Sequence, residues 1–186
     1  MIKSIPFSIR LWLILAGITS ILTLLIYASV QQSYRMGAND PQIQIAWDTA
    51  SQLAQGMSPS QVIPPGQVLI GSELSPFVII YDYNYKPIAG NGIYDHKLAQ
   101  VPSGVLEFAK EHGQNQVTWQ PDNYTRIALV VETSGDGKSL VAVGRSLRYV
   151  EIREHNLAVM TLVAWLLALI SSLIGCLVCF KQTKNV

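Results

Sequence analysis

Two long runs without a charged residue constrain this 186-residue chain more than any other feature of its sequence. They extend from Leu11 to Val30 and from Leu157 to Phe180. A helix of about 20 apolar residues crosses the roughly 30 Å hydrocarbon core of a bilayer. Both runs are apolar around the whole helix circumference, unlike the one-sided helices of soluble domains. The sequence therefore predicts two transmembrane helices, with the lipid bilayer as the first partner.

The charges at the outer borders of the two runs predict the orientation of the chain. Lys3, Arg10, Lys181 and Lys184 lie there, and no acidic residue accompanies them. Because short loops rich in Lys and Arg stay on the cytoplasmic side, both termini are expected in the cytoplasm. The predicted segments are a cytoplasmic N-terminus (1–10), a first transmembrane helix (11–30), an extracytoplasmic domain (31–156), a second transmembrane helix (157–180) and a cytoplasmic tail (181–186).

A cleaved signal peptide is the alternative interpretation of the first run. The run is long for the apolar region of a signal peptide, and Tyr27–Val30 is a poor small-residue cleavage site. Both cysteines, Cys176 and Cys179, fall in the second run, so the segment between the runs has none. Small exported domains often depend on disulfides in oxidising compartments. Their absence here favours the plasma membrane of a bacterium.

The segment between the runs has the pattern of an α+β domain. Residues 41–54 place apolar side chains at helical spacing, with Asp40 as N-cap, Pro41 in the first turn and Gly56 as C-cap. Residues 57–76 are rich in Pro and Gly and predict a loop with one short helical turn. The remaining patterns predict a buried strand at 77–82, a short strand at 87–89, a helix at 102–112 and strands at 116–120, 125–132 and 139–145.

This order favours a five-stranded antiparallel sheet with helices packed on it. The pair Asp136-Gly137 predicts a hairpin between the last two strands. From Leu147 the chain becomes charged and helical, and neither Pro nor Gly interrupts it before the second run. The last strand is therefore expected to lead directly into the second transmembrane helix.

Three stretches carry a resemblance to a known family: Asn39–Gln44 after the first anchor, Phe77–Asp82 before a hairpin, and Val143–Glu151 before the second anchor. Their arrangement resembles the input half of bacterial sensor histidine kinases, which carry PAS-like domains of the Cache or PDC type between two spans. The resemblance covers nearly the whole chain. It implies a PAS-like fold and a sensing role.

One departure from that family affects the expected mechanism. In the kinases the second span leads into a HAMP linker and a phosphotransfer core, whereas only residues 181–186 follow Phe180. The resemblance therefore implies sensing of a ligand or partner, with output through a separate effector. The rival interpretation is an accessory subunit that stabilises or assembles a larger membrane complex. A remnant of a sensor kinase without a role is a third.

The resemblance also implies a small-molecule pocket, walled by the sheet and by residues 91–102. The candidate ligand-binding residues are aromatic side chains and one arginine: Tyr81, Tyr83, Trp119, Tyr124 and Arg126. Tyr85 continues the alternation of the first two tyrosines. An arginine with aromatic walls suits a small anionic ligand such as a carboxylate. The alternative is that the aromatic residues belong to the core and that Arg126 is a surface cation.

No catalytic or metal-binding constellation stands out in the sequence. None of its histidines has a second ligand at metal-site spacing: His96, His112 and His155. Glu107 and Glu111 fall on a helix face that is predicted to be exposed. Because the chain also lacks a phosphate loop, a nucleophile motif and a basic stripe, we expect no enzyme activity, no cofactor and no nucleic-acid partner.

Small residues recur along the second run. Ala164, Ala168, Ser172 and Cys176 fall at every fourth position, and Gly175 belongs to an adjacent stripe. Small side chains at this spacing let helices approach closely in lipid. On the first run a matching surface is formed by Ala16, Thr19, Ser20 and Thr23. The packing partner is either the first span of the same chain or, in a homodimer or complex, another membrane protein.

Overall fold

The computed structural model describes residues 6–183 of the chain. Its helices are α1 (Phe7–Met36), α2 (Asp40–Ala54), α3 (Pro59–Val62), α4 (Ser103–His112) and α5 (Arg148–Thr183). Its strands are β1 (Val68–Leu69), β2 (Phe77–Asp82), β3 (Pro87–Gly90), β4 (Gly92–Tyr94), β5 (Lys97–Leu98), β6 (Gln114–Trp119), β7 (Ile127–Thr133) and β8 (Ser139–Ser146). The predicted α+β class is confirmed.

The chain divides into two compact units. One lies within residues 1–34 and 152–186, and the other comprises Arg35–Glu151. Lys3 and Lys184, on which the predicted orientation partly depends, lie outside the described residues, as do parts of the predicted segments 1–10 and 181–186.

The first unit consists of two long apolar helices that pack side by side. α1 has 30 residues and α5 has 36, and each is long and apolar enough to cross a membrane. The indole Nε1 of Trp12 donates to the carbonyl of Leu169 at 3.1 Å. The Nε1 of Trp165 donates to the Ser20 hydroxyl at 2.9 Å. These contacts pair low residue numbers of α1 with high numbers of α5, so the helices are antiparallel.

The second unit is built on the predicted five-stranded antiparallel sheet. Its strand order is β3-β2-β8-β7-β6, so the first and last strands of the sheet lie side by side at its centre. β2 is buried from Phe77 to Tyr81, because both of its faces are covered. Phe77, Ile79 and Tyr81 join one core cluster, and Val78 and Ile80 join the other.

One helix covers each face of this sheet. Ala46, Ala50 and Leu53 of α2 pack in the cluster with Val78. Leu106 and Ala109 of α4 pack in the cluster with Phe77. α2 begins at Asp40 with Asn39 as its N-cap, one residue before the N-cap predicted from the sequence. The side chain of Asn39 makes no capping hydrogen bond. Pro41 in the first turn has no backbone N–H, so one fewer donor is left without a partner at the start of the helix.

A small three-stranded sheet, with the order β1-β4-β5, lies in the segments 57–76 and 91–102, for which the sequence predicts no strand. Asn91 attaches it to β2, because its side-chain oxygen accepts from the amide of Val78 at 2.8 Å. The ring of Phe77 lies against two glycines on either side. A Cβ atom at Gly92 would be 2.6 Å from that ring, and one at Gly144 would be 2.3 Å from it. Only glycine allows this approach.

Candidate ligand-binding site

A cleft of about 510 Å³ opens beside the end of β2. One wall comes from the turn that joins β2 to β3, and the other comes from the loop that precedes α4. The lining residues are Tyr81, Tyr85, Lys86, Pro87, Gln100, Val101, Pro102 and Ser103. Part of this loop belongs to the segment 91–102 that the sequence predicts as a pocket wall.

Tyr81 forms the buried end of the cleft and is 1% exposed. Its hydroxyl donates to the carbonyl of Ala99 at 3.1 Å and accepts from the amide of Val101 at 3.0 Å. Burial raises the pKa of Tyr81 to about 12, so the phenol is neutral at physiological pH. The phenol therefore fixes the loop to the central sheet while it contributes to the cleft wall.

The turn from β2 to β3 is held in a strained form. One carboxylate oxygen of Asp82 accepts from the amides of Asn84 at 2.9 Å and Lys86 at 2.8 Å. Between these residues Tyr85 has a φ of 64°, in the left-handed region that non-glycine residues rarely adopt. Such a conformation costs on the order of 1–3 kcal/mol and often marks a functional site. Here it turns the half-buried Tyr85 side chain toward the core and the cleft.

Lys110 of α4 lies against Tyr85 of the cleft wall and against the neighbouring Tyr83. Its Nζ lies 4.6 Å from the ring centroid of Tyr83 and 5.4 Å from that of Tyr85. It also donates to the Tyr83 carbonyl at 3.3 Å. The cleft wall itself contains one lysine, Lys86, with the phenol of Tyr85 and the hydroxyl of Ser103. This chemistry suits a small ligand that carries an anionic group.

The structure distributes the five predicted ligand-binding residues over different places. Tyr81 lines the cleft, and Tyr83 lies beside it under Lys110. Trp119 is buried in the same core cluster as Tyr81. Tyr124 is 97% exposed and Arg126 is paired with a carboxylate of Glu151 at 2.8 Å. Of the five predicted residues, Tyr81 alone lines the cleft.

The sequence did not single out Lys86, Pro87 or Ser103 of the cleft wall. Lys86, Gln100 and Ser103 carry no motif that distinguishes them from ordinary loop residues. The signals for the rest of the wall were the segment 91–102, which the resemblance implies, and the alternation of Tyr81, Tyr83 and Tyr85. The chain turns within this run, so the three side chains do not share one face of a strand. Within residues 6–183, no group of three or more His, Cys, Asp or Glu residues is arranged to hold a metal ion.

The predicted packing stripe of α5 is only partly turned toward α1. Cys176 is buried, and Ala168 and Ser172 are half-buried. Ala164 and Gly175 are exposed. The contacts that join the two helices instead involve large aromatic residues, including the edge-on pair of Phe7 and Phe180 with ring centroids 5.3 Å apart.

Protein-family models, curated proteins and solved structures give no match to this chain.

Proposed function

We propose that this chain is a two-pass membrane sensor whose domain binds a small anionic ligand outside the cytoplasm and acts on a separate effector. The observation that carries the proposal is the position of β8. This strand lies at the centre of the sheet next to β2, and only Leu147 separates it from α5. A shift of the central strands therefore acts on a helix that is long and apolar enough to span a membrane.

A PAS-like fold is part of the proposal. Support comes from the five antiparallel strands with the first and last at the centre, and from the cleft bounded by the segment after the second strand of the sheet. These features accord with the resemblance of the sequence to the input regions of sensor kinases. Cytoplasmic termini are proposed on the basis of the terminal basic residues, and a bacterial plasma membrane on the basis of the domain that lacks cysteine.

The start of α5 has a specific connection to the sheet. The amide of Leu147 donates to the carbonyl of Arg126 at 2.8 Å. The guanidinium of Arg126 donates to Glu151 in the first turn of α5, also at 2.8 Å. Both bonds would have to change if α5 moved against β7. A ligand can bias such a movement only if it binds one arrangement more tightly than the other.

The test uses the full chain in lipid nanodiscs and a defined set of probes: inorganic phosphate, acetate, succinate, citrate and the common amino acids. A probe at 100 times its Kd stabilises the folded state by about 2.7 kcal/mol, which raises Tm by several degrees. We expect one carboxylate probe to produce this rise. The Lys86→Gln variant should lose it, whereas Lys138→Gln, an exposed lysine in the β7–β8 turn, should keep it.

Two results would contradict the ligand-sensing proposal. One is the absence of stabilisation by every probe. The other is stabilisation that Lys86→Gln and Lys138→Gln retain equally, because the probe would then bind elsewhere. If the chain instead purifies as a stoichiometric complex with another membrane protein, independent of any probe, the accessory-subunit function replaces the sensor.

A further inference from the structure

The two edges of the five-stranded sheet are protected to different degrees. β3 has four residues, begins with Pro87 and pairs with β2 through an irregular register. β6 has six residues in unbroken register with β7, from Gln114 opposite Glu132 to Trp119 opposite Ile127. It contains neither proline nor a charged residue. Natural sheets usually protect an edge with such residues, so β6 is an open edge.

The backbone of β6 has free hydrogen-bonding capacity. In an antiparallel pair, alternate residues direct both backbone groups away from the partner strand. Within residues 6–183, the backbone of β6 bonds only to β7. The outward N–H and C=O groups of β6 therefore alternate along an unpaired edge. An extended peptide chain can form hydrogen bonds with all of these N–H and C=O groups.

α4 provides an apolar surface next to this edge. Leu106 and Ala109 of the helix face the core, and Lys110 faces Tyr83 on one flank. By helical spacing the opposite flank carries Val105, Phe108 and His112. The side-chain amide of Asn115 in β6 donates to the Val105 carbonyl at 3.0 Å, which places this flank beside β6.

Phe108 is the exposed centre of this flank. Its side chain is 47% exposed, and its ring stacks on His112 with centroids 4.1 Å apart. A strand added to β6 would direct every second side chain toward α4. Phe108 then offers an apolar contact for one of those side chains.

We propose that β6 and the Phe108 flank of α4 form a docking site for an extended segment of another protein. The segment adds a sixth strand to the sheet. Its side chains alternate between apolar residues, which pack on Phe108, and polar residues, which lie beside Gln116 and Thr118 on the other face. This partner is distinct from the ligand of the cleft, and its binding does not depend on that ligand.

The side chains of β6 argue against a second copy of the chain as the occupant. On the face toward α4, β6 carries Asn115, Val117 and Trp119. Asn115 already bonds to Val105, Val117 packs against the core and Trp119 is buried. A second β6 therefore has no free apolar side chain for Phe108.

The test begins with a displayed library of random heptapeptides, selected on the full chain in nanodiscs. We expect the selected peptides to alternate apolar and polar residues. N-methylation of alternate backbone amides should weaken binding about tenfold at each of these positions and have little effect at the positions between them. Phe108→Ser should also weaken binding about tenfold. Ile88→Ser on the opposite edge, where the side chain is 49% exposed, should leave it unchanged.

Three outcomes would overturn the docking site. The library yields no binding peptide; the selected peptides bind Phe108→Ser and Ile88→Ser equally; or N-methylation has the same effect at every position. Dimers of the chain that cross-link through residue 116 would also overturn it, because the edge would then be occupied by self-association.

Discussion

The hydroxyl oxygen of Tyr81 makes two structural contacts. The hydroxyl is buried in the core and satisfies a carbonyl at Ala99 and an amide at Val101. Both partners belong to the loop that walls the cleft. The stability of the domain and the shape of its candidate site are therefore linked at this residue.

Removing that oxygen should be costly. Tyr81→Phe leaves a buried donor and a buried acceptor without partners, and we expect the free energy of unfolding to fall by about 1–3 kcal/mol. Chemical denaturation of the full chain in nanodiscs measures the change. Tyr124→Phe is the control, because Tyr124 is 97% exposed and should give a change near zero. Equal effects of the two substitutions would contradict the role of the Tyr81 hydroxyl.

Asp122 organises the loop between β6 and β7. One of its oxygens accepts from the amides of Tyr124 at 2.7 Å and Thr125 at 2.8 Å. The other accepts from the hydroxyl of Tyr94 at 2.7 Å. The bond from Tyr94, followed by the bonds from residues 124 and 125, lowers the pKa of Asp122 to about 2. The loop is thereby attached to β4.

A lowered carboxyl pKa predicts a defined dependence on pH. The carboxylate contributes stability above its unfolded pKa, and this contribution is lost as the pH falls from about 4 toward 2. The Tyr94→Phe variant should raise the pKa of Asp122 toward its ordinary value. The NMR chemical shift of the Asp122 carboxyl carbon, followed as a function of pH, gives the titration midpoint in the parent protein and in Tyr94→Phe. Identical midpoints in the two proteins would show that Tyr94 does not stabilise the carboxylate.

At the scale of elements, the start of α5 is the most informative junction. β8 ends at Ser146 and α5 begins at Arg148. Arg126 and Glu151 connect the start of β7 to the first turn of the helix across this junction. The ion pair is about half exposed, so solvent screening limits what it contributes.

A double-mutant cycle with Arg126→Ala and Glu151→Ala should give a coupling free energy of about 0.5 kcal/mol. We expect the coupling to shrink at high salt, because exposed charges are screened. Unfolding of the four proteins in nanodiscs measures it. The matched cycle with Lys138→Ala in place of Arg126→Ala should give a value near zero. A coupling that salt leaves unchanged would argue against an ion pair.

The elements with a strong local pattern could be predicted from the sequence. β2 lies at the predicted residues because an uninterrupted apolar run marks a strand covered on both faces. The β7–β8 hairpin follows from two apolar runs that an Asp-Gly turn connects. β1, β4 and β5 could not be predicted, because strands of two or three residues have no periodicity and derive from pairing within the fold.

The candidate site was less predictable than the sheet. Whether Arg126 meets a ligand or a carboxylate depends on where α5 begins, since Glu151 is 25 residues away in sequence. The left-handed turn at Tyr85 likewise depends on hydrogen bonds that the Asp82 carboxylate accepts, rather than on a glycine. Both features arise from contacts that no local pattern records.

At the scale of the whole molecule, the proposed topology can be tested by labelling. Cys176 and Cys179 are first changed to Ser, and single cysteines are introduced by Ser72→Cys in the domain or by Ser4→Cys near the N-terminus. On intact bacterial cells, a membrane-impermeant maleimide should label residue 72 and not residue 4. Both should react after lysis, which is the control for accessibility. Labelling of residue 4 on intact cells would contradict cytoplasmic termini.

The position of Phe77 between Gly92 and Gly144 makes the sizes of three residues interdependent. The ring occupies the volume that any side chain at either glycine would need, so an alanine at one of them is accommodated only if the residue at 77 becomes smaller. In related sequences, a larger residue at one of these three positions should therefore occur with a smaller residue at another, so that the summed side-chain volume stays constant. A large residue at 77 without both glycines would be a mark of a differently packed centre.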